Sequence, residues 1–425
     1  MGRVESRTER RVFGGASSHS DLSRISFKSV VTMAQTNSKI SKKSAHRPAS
    51  ILFYADSSDP DMLYFSRCNA SDPYLAFTVG RKKFGVVPSS EYGRMLVESD
   101  FDEILLLHEV ADGAARRFKL PKGGAPSLSQ MVRHLAKVYR IPGFLIGERF
   151  PAGLALDLRE AGVKIAVDKD GGIFPERELK SAAEVEALRK GNRASAAGFR
   201  LVAKILAESK IRRGQLVHQG KVLTSERLRE LISHAALDEG AVALHTIASC
   251  GDQVHDNHSV GHGPILANEL IVVDIFPRRP EDGYWGDMTR TFLKGRASDA
   301  QRQLVRTVKR GHELAMRMIK PGQVGGEVHD AVQAFFDKEG YETVRNSANV
   351  KGFFHALGHG VGLEIHESPI LRAGAPWKFK KGHVVTVEPG LYYLGLGGCR
   401  IEDVLHVIPG GNERISSAPY KWEIK

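Results

Sequence analysis

Two segments of this chain, one entered at Ile211 and the other at Ile319, pass through the same succession of elements, and that doubling constrains the fold more than any other feature. Ile211-Arg-Arg-Gly214-Gln215 follows one long apolar-periodic stretch, and Ile319-Lys-Pro-Gly322-Gln323 follows a second, over 298–319. A shorter helical pattern succeeds each, over 225–237 and 327–336. These close at Asp238-Glu239-Gly240 and at Asp337-Lys338-Glu339-Gly340. Each half then carries a histidine-rich loop and an apolar strand ending on a carboxylate, 271–274 on Asp274 and 384–388 on Glu388. Another carboxylate follows at nearly the same remove in each copy, Asp287 in the first and Glu402 in the second. Helix, helix, strand and paired carboxylates in one repeated order predict an internally duplicated α/β unit. Its first helix opens at a capping box, Ser181 with Glu184, ahead of Val185, Leu188, Phe199, Val202 and Leu206.

Upstream the pattern is different. Short apolar runs over 50–55, 62–65, 74–79, 84–87 and 103–107 read as strands, with Gly80-Arg81-Lys82 turning a hairpin. Met131, Leu135 and Val138 mark a helix opened by Ser127 or Ser129, and 144–146 and 163–167 are further strands. A small mixed α/β domain over 49–172 is therefore expected, ending in the linker Lys169-Asp170-Gly171-Gly172, with the duplicated domain over 173–425. Nothing in 49–172 groups titratable residues at motif spacing, so it reads as a scaffold or substrate-access domain.

Residues 1–48 form a third segment, a Ser-rich basic tail without apolar periodicity, expected to be disordered. It carries +7 of the chain's formal +12, leaving +5 for everything that follows it. That distribution removes the main argument for a nucleic-acid partner, because no basic stripe interleaved with aromatics remains on a foldable segment. Arg10-Arg11-Val12-Phe13 lacks the apolar region an export signal needs, and Met33 offers a second in-frame start. No apolar run reaches the roughly 18 residues of a membrane helix. Three cysteines without CxxC spacing (Cys68, Cys250, Cys399) point to reduced thiols and a cytoplasmic protein.

The chemistry concentrates in the repeat. A carboxylate at the end of an apolar strand pays several kcal/mol of desolvation unless something neutralises it. Asp274, Asp287, Glu388 and Glu402 with an imidazole make a ligand set for two divalent cations such as Mn²⁺, Co²⁺ or Zn²⁺. The short segment from His355 to Glu367 holds three histidines and three glycines, glycine allowing the backbone to approach a buried centre closely. There is no HExxH helix, no GxSxG elbow and no cysteine in a nucleophile motif, so neither a helix-borne zinc site nor acyl-enzyme chemistry has support.

Asp274, Asp287 within Gly286-Asp-Met-Thr-Arg-Thr-Phe292, His359, Glu388 within Val387-Glu-Pro-Gly-Leu391, and Glu402 within Arg400-Ile-Glu-Asp403 resemble the five ligands of the pita-bread metallopeptidases. The motifs span about residues 180–407 and are most similar to the proline-directed branch, aminopeptidase P and prolidase. The upstream domain is similar in size and layout to the creatinase-type amino-terminal domain. The resemblance implies that Asp274 serves one ion, His359 and Glu388 the other, and that Asp287 and Glu402 bridge them. It further implies a metal-bridging hydroxide, with Glu388 as proton shuttle, and places His258 (in Asp256-Asn257-His258), His355 and His366 at the substrate. Arg400 is expected to steady Glu402 by a charge-assisted hydrogen bond. The function so implied is Xaa-Pro aminopeptidase, with two metal ions, manganese foremost, and a peptide carrying proline at its second position. A homodimer or larger homo-oligomer, without membrane or nucleic acid, completes the expectation. Prolidase is the alternative, and a catalytically silent binding protein, which usually loses ligands, is the third reading.

Overall fold

The computed structural model describes residues 50–168, 172–345, 350–418 and 420–425. The basic tail and the linker residues 169–171 lie outside the described residues.

The amino-terminal part runs β1 (Ser50–Ala55), α1 (Pro60–Ser66), β2 (Tyr74–Val79), β3 (Lys82–Val87), α2 (Ser89–Glu98) and β4 (Glu103–Leu106). It continues with α3 (Leu107–Phe118), α4 (Leu128–Val138), β5 (Phe144–Ile146), α5 (Ala152–Glu160) and β6 (Ile165–Val167). Its one sheet has the order β4-β3-β2-β1-β5-β6, antiparallel through β1–β3 and parallel outside them. Strand alternation puts Leu52, Leu75 and Phe77 on one face, against Val132, Leu135 and Leu158. Phe53, Tyr74 and Ala76 point to the other, against Met62 and Phe65. Both faces are thus covered.

The segment 62–65 is a correction. It forms the middle of α1, where Asp59 accepts from Met62 N and Pro60 occupies the first turn. A run of four apolar residues fits a buried strand or a buried helix equally, and here the cap and proline decide. The hairpin turn is tighter than expected, only Gly80 and Arg81, with Gly80 at φ 62 where a II′ turn demands glycine.

The duplicated part begins with α6 (Ala182–Glu208), a ribbon of β7 (Lys210–Arg212), β8 (Gln215–His218) and β9 (Lys221–Val222), and α7 (Ser225–Asp238). Strands β10 (Ile247–Cys250), β11 (Ile271–Ile275) and β12 (Met288–Lys294) complete the first copy. The second copy has α8 (Asp299–Met318), α9 (Gly325–Lys338), β13 (Gly358–Gly360), β14 (Glu367–Leu371) and β15 (Val384–Val387). After it come β16 (Gly390–Tyr393), β17 (Gly397–Arg400), β18 (Asp403–Ile408), β19 (Gly411–Arg414) and β20 (Glu423–Ile424). The two main sheets run β10-β11-β12-β20 and β14-β13-β15-β18-β19. Each copy packs its helix pair on its own sheet: Phe199, Val202 and Ile232 on Ile271, Val273 and Phe292, and Val308, Val332 and Phe336 on Val385, Val387 and Leu405. The sequence repeat is therefore a structural one, in a mixed α/β fold. Among the described residues no helix is long and apolar enough to cross a membrane, and the three cysteines are buried and free.

One close approach ties helix to site. At Gly191 of α6 a Cβ would lie 2.5 Å from Gly286 N, immediately before Asp287. Gly191→Ala must push the loop away, and overpacking of this kind costs about 1–3 kcal/mol. A urea midpoint equal to that of the wild type would show that this contact is slack.

Candidate metal centre

The register of the two sheets brings the carboxylates together. Asp274 of β11 pairs across to Thr289 of β12, and the last pair, Ile275 with Met288, leaves Asp287 just beyond the strand. In the second sheet the last pair is Val387 with Asp403, so Glu388 and Glu402 sit opposite one another one step past it. The two copies thus offer their carboxylates in different registers. His359 is the middle residue of β13, hydrogen-bonded through its N–H to Thr386 Oγ1 at 3.1 Å. A Cβ at Gly358 would run into Thr386 O and one at Gly360 into Ser368 O, so glycine on both sides lets this strand lie close against its neighbours. On the opposite side Asn192 of α6 accepts from Asp287 N at 3.2 Å.

Donor atoms of Asp287, His359 and Glu402 all lie within 4.8 Å of one another, and all three residues are buried. His359 Nε2 stands 3.6 Å from Asp287 Oδ2 and 3.4 Å from Glu388 Oε1. His359 Nδ1 faces Gly360 O at 3.1 Å and donates to it, which leaves the Nε2 lone pair pointing at the acids. Burial holds that imidazole neutral, its pKa lowered to about 3. Asp274 completes the group, Oδ2 taking Arg400 Nη2 at 2.8 Å. Its Oδ1 is buried without a hydrogen-bond partner.

The electrostatics follow from crowding like charges out of water. Burial, then Asp274 and Glu388, raise the Asp287 carboxyl well above its usual range. Burial, then Asp287, Glu388 and Asp274, do the same to Glu402. Glu388 is pushed up to about 8 by burial and by Asp274, against the pull of Arg400. Burial alone would depress the Arg400 guanidinium, but Tyr392, Asp274, Glu388 and Glu402 hold it well above the ordinary range. A neutral imidazole, an orphaned buried oxygen and three carboxyls that resist ionising together fit a site for divalent cations, whose charge would remove the conflict.

The structure brings Asp274, Asp287, His359, Glu388 and Glu402 together, and places the other three histidines around them. His355 lies on the flank, Nδ1 donating to Ala356 O at 2.7 Å and Nε2 meeting Tyr392 Oη at 3.1 Å. Burial lowers it to about 3, so both nitrogens are engaged and it faces its neighbours as an orienting group. His366 is exposed, its ring edge-on to His359 at 4.3 Å between centroids. His258 is exposed too, its backbone N–H donating to Asp256 Oδ1 at 3.1 Å. His255, its neighbour, turns away to Val350 O at 2.6 Å.

Arg400 is a second correction. Its charged hydrogen bond goes to Asp274, and it reaches Glu402 only through Thr289, whose Oγ1 accepts from Arg400 Nε at 3.2 Å and donates to Glu402 Oε2 at 2.8 Å. Arg400 Nη1 also donates to Tyr392 Oη at 3.0 Å. Arg400 ends β17, which packs against β11 and β12 of the first copy, so its side chain reaches Asp274 there.

Sequence reasoning missed Thr289, Tyr392 and a buried anchor behind Glu402. There Arg290 donates to Thr289 O at 2.9 Å, to Glu402 O at 2.5 Å and to Asp403 Oδ1 at 2.8 Å. Alternation of Thr289 and Thr291 around Arg290 in β12 was the available signal, since neighbours along a strand point to opposite faces.

Comparisons with known proteins cover the stretch of chain that carries these residues. The model of metallopeptidase family M24 matches residues 186–409. The Xaa-Pro dipeptidase of Pyrococcus furiosus is 33% identical over 41% of this chain and 47% of its own length. This chain spans less than half the length of the first curated relatives it matches. Among solved structures, the prolidase from Pyrococcus horikoshii has a TM-score of 0.71 at 21% identity, covering 93% of this chain and 99% of that one. The X-Pro aminopeptidase from Thermotoga maritima has a TM-score of 0.72 at 22% identity, covering 88% of this chain and 97% of that one. At those identities the likeness is one of fold.

Proposed function

Because the chain belongs to metallopeptidase family M24, we propose that it is an exopeptidase hydrolysing the Xaa-Pro bond at the amino terminus of short peptides. Asp274, Asp287, His359, Glu388 and Glu402 would hold two divalent ions, manganese foremost. The observation that supports it best is the buried cluster around His359 Nε2, a set of crowded acids whose mutual repulsion divalent cations would relieve.

Bound there, two ions supply a polarised carbonyl and a nucleophilic water near neutral pH. The rest belongs to the chain's own residues. Glu388, beside His359 and with a raised carboxyl, takes a proton at its carboxylate and returns it to the departing nitrogen. Arg400 holds Asp274 in place and, through Thr289, steadies Glu402. Exposed His366 and His258 face the approaching peptide, and His355 orients Tyr392. The departing nitrogen is a tertiary amide before cleavage, so proline has no N–H for the site to read and must be recognised by its ring.

The names of curated relatives favour a second form, the Xaa-Pro dipeptidase. Initial rates on Xaa-Pro dipeptides and Xaa-Pro-Yaa tripeptides, with protein reconstituted in Mn²⁺, Co²⁺ or Zn²⁺, separate the two. Cleavage confined to tripeptides selects the aminopeptidase, and cleavage confined to dipeptides the dipeptidase. No turnover of either with any of the three metals would remove the proline assignment.

A further inference from the structure

We propose that Arg177 is a positioning residue that clamps the loop carrying His366 against the amino-terminal domain.

Arg177 lies between the two domains, its side chain only 12% exposed. It meets three carboxylates. Nη1 donates to Asp61 Oδ1 at 2.7 Å, in the first turn of α1. Nη2 donates to Glu364 Oε2 at 2.9 Å and to Glu367 Oε2 at 2.8 Å. Those two glutamates flank His366. Lys180, buried, pairs with the other oxygen of Glu367, and Arg149 of the amino-terminal domain pairs with Glu364. Three cations meet three anions, so the cluster is neutral as a unit, and loss of its buried cation Arg177 leaves carboxylates short of a partner.

The loop needs such ties. Leu363 anchors its start in the apolar core, where Trp285 Nε1 donates to Leu363 O at 3.1 Å. Beyond Leu363 the chain borders an interdomain cavity of ≈ 410 Å³ that Glu364, Glu367 and Arg177 themselves line. The half-buried Ile365 also packs on the apolar core, and on the cavity side polar contacts hold what apolar ones do not. The loop also folds around the Glu367 carboxylate: Glu364 N donates to Glu367 Oε2 at 3.4 Å, and a Cβ at Gly362 would lie 2.8 Å from Glu367 Cδ. His366 stands between the two clamped glutamates, edge-on to His359. Arg177 thereby joins the amino-terminal domain to a histidine at the candidate centre without touching any of the five candidate ligands. The scaffold domain would act on the site through this buried guanidinium, with the exposed Arg149 as a second tie to Glu364.

The kinetic arm of the test rests on the Xaa-Pro peptidase reading, and the exchange arm does not. Hydrogen–deuterium exchange is measured on the full chain with Mn²⁺ for the wild type, Arg177→Gln, Arg177→Lys and Asp61→Asn. Exchange over 362–367 should rise in Arg177→Gln while β15 stays as protected as in the wild type. Asp61→Asn should shift it in the same direction by less, and Arg177→Lys should recover part. On an Xaa-Pro peptide, kcat should fall about 10- to 100-fold in Arg177→Gln at unchanged manganese content, the scale expected of a group acting through another. Wild-type exchange over 362–367 in Arg177→Gln, or a loss of protection spread equally into β15, overturns the proposal. If Arg177→Gln does not fold, Asp61→Asn decides by the same measure, and exchange equal to the wild type overturns it. A wild type inactive on Xaa-Pro peptides removes the peptidase reading, and the exchange result then stands alone.

Discussion

Glu388→Ala should leave Xaa-Pro turnover about 10²–10⁴-fold below the wild type, the range that positioned proton transfer contributes. The expectation follows from where the carboxylate is. It lies 3.4 Å from His359 Nε2, where burial and then Asp274, against the pull of Arg400, raise its pKa to about 8 in the metal-free protein. Losing it also removes a candidate ligand, and the two losses need separating. Glu388→Gln keeps an oxygen donor of the same length but carries no exchangeable carboxyl proton. Manganese content measured beside initial rates should therefore show Glu388→Gln retaining more metal than Glu388→Ala while both stay inactive. An active Glu388→Ala would remove Glu388 from the mechanism, and a Gln variant with wild-type rates would leave it a ligand only.

The parts of this molecule that the sequence made legible are those with a local reason to be where they are. The repeat could be read because helices and strands impress their period on apolar residues, and Phe199 or Val385 cannot be polar without loss of core. The carboxylates stood out because Asp274 and Glu388 follow strongly apolar runs, where an acid is costly. Glycines around His359 betrayed the close strand approach that the structure displays between Gly358 and Thr386. What stayed hidden depends on partners far along the chain. Arg400 finds Asp274 126 residues away, and Arg177 finds Asp61 and Glu367 116 and 190 residues away, distances over which no periodicity carries information. The helices α2, α3 and α5 escaped for a different reason. They lie half in solvent, and α2 buries Met95 alone, so their apolar stripe is too thin to read. Capping likewise overruled composition at α1, where Asp59 and Pro60 turn an apolar tetrad into a helix.

Removing metal should make stability depend on pH in a direction set by the same carboxyls. Asp287, Glu388 and Glu402 have folded pKa values raised above those of the unfolded chain, so the folded state without metal holds protons the unfolded state has released. Their contribution is present below the unfolded value, 4.5 for Glu388, and is lost as pH rises through the folded one, about 8 for Glu388. Buried histidines work the other way. His312 and His383, lowered to about 4, and His355 and His359, lowered to about 3, are neutral in the folded state. Their contribution is full above the ordinary 6.5 and fades as pH falls through the folded values, so they mask the carboxyls in the acidic range. Above about 7.5, once the histidines of the unfolded chain have released their protons, the carboxyls set the slope, at about 1.4 kcal/mol per pH unit for each group inside its window. Chelator-treated protein should therefore lose stability as pH rises from about 7.5 through 8. Protein in excess Mn²⁺ should not, because cations bind the ionised ligands and bind them better as pH rises. Urea unfolding at several pH values, with and without Mn²⁺, reads the difference directly. A gap that widens with pH supports a site built for cations, whereas a constant or shrinking gap would mean that the acids ionise without metal and are neutralised from within the chain.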